Sequence, residues 1–206
     1  MRTMQDKEEK RMVEGYEITQ GIRIGDKEVV FGVNEKADMP YLCSFYSSNA
    51  IMESYDDSMI GDDYVEILEL FADRIKAQCI KVREEQAKVT VPRKKITADM
   101  CNSLSQCGDM TGKIMAIRAE ALRSEYRSAE HQLVYVTGGN GARQQSFGTA
   151  CYCITLYSGE HGRWERYDFQ GEVKPECLPR WAKEKKVEIE QRKTQRQTQK
   201  TDREVR

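Results

Sequence analysis

The segment 131–171, HQLVYVTGGNGARQQSFGTACYCITLYSGEHGRWERYDFQG, is the densest apolar stretch in a hydrophilic chain, and it limits the fold more than any other. Residues 133–136 are apolar on both faces, which predicts a central strand buried on two sides. In 150–157, period two sets Ala150, Tyr152, Ile154 and Leu156 on one face and Cys151 and Cys153 on the other. Residues 158–162 then turn the chain back onto Arg163-Trp164-Glu165-Arg166-Tyr167. A strand, a glycine-rich loop, a strand, a turn and a strand together predict a β-rich core.

The surroundings of that core are strongly polar. Hydrophobic residues make up 39% of the chain, charged residues 33%, and the mean hydropathy is −0.74. That is enough for a core with a heavily solvated surface and loosely ordered ends. No apolar run approaches the roughly 20 residues that cross a bilayer. The first twelve residues, MRTMQDKEEKRM, hold no apolar signal core, so a cytoplasmic protein without a membrane partner is expected. Seven cysteines, an odd count in such a chain, read as reduced thiols. Charge is unevenly divided: 14–90 carries eight Lys and Arg against sixteen Asp and Glu, whereas 183–206 carries nine against five.

Along the chain, 1–13 has charge without periodicity and is expected to be disordered. Tyr16–Ile24 alternates, with Tyr16, Ile18, Ile22 and Ile24 sharing a face, and Gly25-Asp26 predicts a tight hairpin to residues 28–31. Pro40 opens a third strand over 41–46, and 49–54 reads as a weak fourth. Asp63, followed by Glu66, marks a helix start. Tyr64, Ile67, Leu68, Phe71, Ile75, Cys79 and Val82 then form a stripe able to cover a small sheet, which predicts a helix over 63–88. The expected fold class is α+β: a small antiparallel sheet with one long covering helix over 14–88, then a second, β-rich α+β domain over 113–188. Residues 89–112, with Pro92, a basic run and a polar stretch, read as a linker, and 189–206 as a disordered basic tail.

Chemical motifs are sparse. Gly138-Gly139-Asn140-Gly141 follows a strand but precedes another strand, so it reads as a glycine-rich hairpin loop and not a phosphate cradle. Cys101, Cys107, Cys151 and Cys153 offer four thiols for zinc, but their spacing is poor, and buried small hydrophobes are the plainer reading. His131 and His161 belong to no catalytic motif. Neither a cofactor nor a catalytic residue is expected. Arg163, Trp164 and Arg166, with Arg143 from the loop, combine cations with an aromatic ring as single-stranded nucleic-acid binders do. The competing reading is ordinary surface pairing around a core tryptophan.

Two stretches, YEITQGIRIGDKEVVFG and HQLVYVTGG with the later GEHGRWERYDFQGEVKPECLPRWAKEK, resemble uncharacterised accessory proteins of conjugative and integrative mobile elements of gut Firmicutes. The resemblance runs from Tyr16 to Lys185 and implies a genetic setting without an assigned activity. The expected function is therefore a non-enzymatic accessory protein that binds another protein of the element or its host. Two alternatives stand beside it. One is single-stranded nucleic-acid binding through the Arg/Trp edge, and the other is acidic inhibition of a host DNA-binding defence enzyme.

Overall fold

Alternation of apolar and polar residues builds the first third of the chain into an antiparallel meander. Its strands are β1 (Met12–Val13), β2 (Tyr16–Ile24), β3 (Lys27–Val33), β4 (Tyr41–Ser48) and β5 (Glu53–Gly61), paired in chain order. The structure, a computed structural model, describes residues 10–48, 52–143 and 147–204, which divide after Lys88 into two units. Met12 and Val13 pair with Glu17 and Tyr16, so ordered chain begins before the expected boundary at 14. The expected strand at 49–54 lies partly outside the described residues. The observed β5 runs on to Gly61 through a polar sequence that carries no strand signal.

The face expected for β2 does not survive its pairing. Ile18 lies opposite Gly32 and Gln20 opposite Phe31, so Thr19 is an extra residue in the ladder. Such a bulge reverses the side-chain alternation beyond it. Tyr16 and Ile18 therefore share the face of Gly32, while Ile22 falls on the opposite side and stays 43% exposed.

Helix α1 (Tyr64–Ala87) covers the face that holds Val29, Phe31 and Cys43. The Asp63 carboxylate accepts from the Val65 and Glu66 amides at 2.8 and 3.1 Å, as an N-cap does. Ile67, Phe71 and Val82 are buried from the helix, each contributing about 1.5–3 kcal/mol by removal from water. Tyr64 and Cys79, expected in the same stripe, are exposed.

The second unit is a six-stranded antiparallel sheet. Its strands are β6 (Cys101–Ser103), β7 (Ile114–Ile117), β8 (Leu133–Gly138), β9 (Ala150–Thr155), β10 (His161–Glu165) and β11 (Phe169–Val173), in the order β10-β9-β8-β7-β11-β6. Helix α2 (Ala129–Gln132) is a single turn that holds His131 and leads into β8 at Leu133. Helix α3 is Arg180–Glu204. Period two splits the sheet into two packed faces. Ile114, Ala116, Leu133 and Tyr135 meet Ile96, Trp181, Ala182 and Ile189 on one face. Met115, Ile117, Val134, Val136, Cys151, Cys153 and Phe169 meet Cys107, Met110 and Ala142 on the other.

Two expected boundaries are corrected. The segment 89–112 is no linker. The Gln132 side chain accepts from the Ile96 amide at 2.8 Å and donates to the carbonyls of Ile96 and Ile117 at 3.1 and 3.0 Å. Ile96 and Met110 are fully buried, and β6 forms an edge of the sheet. The tail expected to be disordered from 189 is helical to Glu204. Its Lys, Arg, Gln and Glu are good helix formers, and the pairs Arg180–Glu184, Lys185–Glu188 and Lys186–Glu190 support its first turns. No helix among the described residues is long and apolar enough to cross a membrane.

Candidate functional site

The four residues read as a nucleic-acid edge do not assemble as one surface. Trp164 lies opposite Cys151 and packs, half-buried, against the cluster of Met115, Val136 and Phe169. Arg166 donates from its guanidinium to the Gly141 carbonyl at 2.6 Å and from its amide to Thr149 at 2.7 Å. It thereby pins the glycine-rich loop from which exposed Arg143 projects. Arg163 points from the opposite face of β10, where it pairs with Glu165. Glu165 in turn accepts from the Thr149 hydroxyl and caps the 3-10 turn Arg166–Asp168.

That loop is a structural brace. A Cβ on Gly139 would stand 2.4 Å from the Ala150 carbonyl oxygen, and one on Gly141 would stand 2.0 Å from that of Thr149. Glycine is needed there because the loop lies flat on the start of β9, with its Gly141 and Ala142 carbonyls accepting from Arg166 and from the Met110 amide. The thiols are likewise divided between packed clusters. Cys101 belongs to the α3 side of the sheet, and Cys107, Cys151 and Cys153 belong to the other side. Among the described residues, no group of three or more His, Cys, Asp or Glu is placed to hold a metal ion.

A different surface gathers cations around an open face. Beyond Ile189, α3 runs past β8, β9 and β10 and leaves a cleft of about 310 Å³ lined by Thr137, Ile154, Gly159, His161, Ile189, Arg192 and Lys193. Ile154 and Ile189 supply apolar lining; His161, Arg192 and Lys193 supply the polar groups, and no Asp or Glu lines the cleft among the described residues. The Lys193 ammonium sits 4.4 Å from the centre of the Tyr135 ring, a cation–π contact. Burial there lowers the Lys193 pKa from its ordinary value, against the opposing pull of Glu190. Neither Arg192 nor Lys193 is in a salt bridge among the described residues.

The surface continues along the strands. Tyr152 lies two residues before Ile154 on the same face of β9, and its ring is 55% exposed. Directly across the ladder is Arg163, two residues beyond His161. The Thr137 hydroxyl donates to the Tyr152 carbonyl at 3.0 Å, which holds β8 to β9 beside the ring. An exposed aromatic ring and a flanking guanidinium thus share one side of the sheet with a cleft whose two α3 cations are in no salt bridge among the described residues.

Of the four residues read from sequence as a nucleic-acid edge, only Arg163 belongs to this surface. Tyr152 was detectable as the aromatic of an alternating strand, but nothing local says which face of β9 is covered. Arg192 and Lys193 fell in a segment read as unstructured, so no motif placed them beside β9. No family model, curated protein or solved structure matches the chain.

Proposed function

We propose that the protein acts by binding, and that its second unit takes single-stranded nucleic acid along the face formed by β8, β9, β10 and α3. The observation that carries this reading is an exposed Tyr152 ring opposite Arg163 on the two strands whose next same-face residues, Ile154 and His161, line a cleft with Arg192 and Lys193. Every base has a π-face, so a ring on a sheet accepts bases with little regard to sequence, contributing about 1–3 kcal/mol per stacked base. The cations track the backbone phosphates, and an incoming phosphate relieves the incomplete solvation of Lys193. Arg163 keeps the role given to it from sequence; Tyr152 replaces Trp164 as the stacking ring, and α3 replaces Arg143 and Arg166 as the source of charge. An accessory role on a mobile element accommodates such a ligand.

Fluorescence anisotropy with a labelled single-stranded oligonucleotide at low salt tests this reading. Binding should weaken steeply as salt is raised, because phosphate contacts release counterions. Tyr152→Ala should weaken it about tenfold, the loss of roughly one stacking contact. Lys193→Gln with Arg192→Gln should flatten the salt dependence. Absence of binding at low salt, or binding indifferent to all three substitutions, refutes the assignment.

A further inference from the structure

The first unit carries a sheet edge whose chemistry selects a partner of opposite character to the nucleic acid. Among the described residues strand β5 is last in its sheet and pairs only with β4; the register shifts opposite Ser44, where Asp57 takes a left-handed φ of 53°, and on either side of that bulge the outer row of amides and carbonyls has no strand partner. The Asp57 carbonyl is an exception, because Arg74 donates to it at 2.6 Å. Met59 and Ile60 lie on opposite faces of this edge, 52% and 48% exposed. Between Lys36 and Arg74 the chain holds nine Asp and Glu and no Lys or Arg. Among the described residues none of the nine is in a salt bridge.

An open strand edge is a template for another strand, and proteins restrict which strand it accepts. Here the restriction is by charge. A second copy of β5 laid against the first would set two strands side by side that each carry Glu53, Asp56 and Asp57 and no Lys or Arg, which is a repulsive arrangement. A cationic strand meets the opposite situation: carboxylates along β5 and at Asp62, Asp63 and Glu66 flank the ladder it would join. We infer that the β5 edge is a docking surface for an extended Lys/Arg-rich segment of a protein partner, added as a sixth strand. Backbone pairing supplies the adhesion, Met59 and Ile60 take alternate apolar side chains, and the carboxylates choose the partner's charge. This surface lies within the first unit and is independent of the nucleic-acid reading.

The test uses the full chain and a synthetic peptide of nine residues, the length of β5, alternating Lys with Val. A peptide of the same charge with Pro at its centre is the control, since Pro cannot complete a ladder. Calorimetric titration should show the alternating peptide binding at least tenfold more tightly than the control, and hydrogen exchange should slow at the β5 amides. Glu53→Gln with Asp56→Asn and Asp62→Asn should weaken binding about tenfold while circular dichroism stays unchanged. Equal binding of the two peptides shows charge attraction without strand addition and overturns the inference. Absence of binding, or protection elsewhere than β5, overturns it as well.

Discussion

Cys151 and Cys153 lie side by side on the covered face of β9, and burial pushes their thiols up to about 11 and about 12 from an ordinary 9.0. A raised folded-state value means that both stay protonated in the folded protein where the unfolded chain already ionises. Their contribution to stability is therefore complete below pH 9.0 and is lost as pH rises from there towards 12. Denaturant midpoints measured across that range should fall, and replacing both residues with Ala should remove part of the fall. At neutral pH a thiol reagent should modify exposed Cys79 first and reach Cys151 and Cys153 only at the rate of unfolding. Rapid labelling of all seven cysteines contradicts this. The packing role of these thiols was legible from sequence, because a Cys-x-Cys pair on a strand puts both sulfurs on one face. That their face, and not the one with Tyr152, would be covered was not legible. Both sets are apolar, and the choice depends on what packs from elsewhere in the chain.

Among the elements, the contrast between α1 and the segment 89–112 shows where local reasoning stops. The helix announces itself through an N-cap at Asp63 and recurring apolar residues, all within reach of one another along the chain. Ile96, Cys101 and Met110 recur with no period, so they read as scattered apolar residues in a linker. They are core residues because the Gln132 amide, 36 positions away from Ile96, satisfies the backbone that brings them in. Gln132→Leu keeps similar bulk but takes its partner from the Ile96 amide and one donor each from the carbonyls of Ile96 and Ile117, of which the former still accepts from Gln170 at 3.4 Å. Chemical denaturation of the second unit should register a loss of about 1–3 kcal/mol. An unchanged midpoint means the clamp contributes nothing. The bulge at Thr19 belongs to the same class, since the hydrophobic pattern of β2 alone predicts one continuous face.

At the scale of the whole molecule, the chain is two α+β units with the division between Lys88 and Val89. Each has its own core clusters and its own sheet, so each should fold alone. A fragment of residues 1–88 and another of 89–206 should each unfold cooperatively. A fragment of 113–206, cut at the boundary that composition suggests, should not, because it lacks β6 and Ile96. Cooperative folding of the shorter fragment restores the linker reading. Charge follows the same division: the acidic excess lies on the first unit and the basic excess on α3 of the second, which gives the two proposed surfaces opposite partners.

What the sequence determined by itself was whatever adjacent residues decide among themselves. This covers the α+β class, the hairpin at Gly25-Asp26, the capped helix, the β-rich centre of the second unit and the segregation of charge. Each arises from backbone preference, capping or short-period burial, which act over a few residues. The tertiary structure alone decided which face of β9 is open, that 89–112 joins the second core, and that Arg192 and Lys193 line a cleft with Ile154 and His161. Burial of apolar surface has no direction of its own, so whether a face is covered depends on a distant part of the chain reaching it.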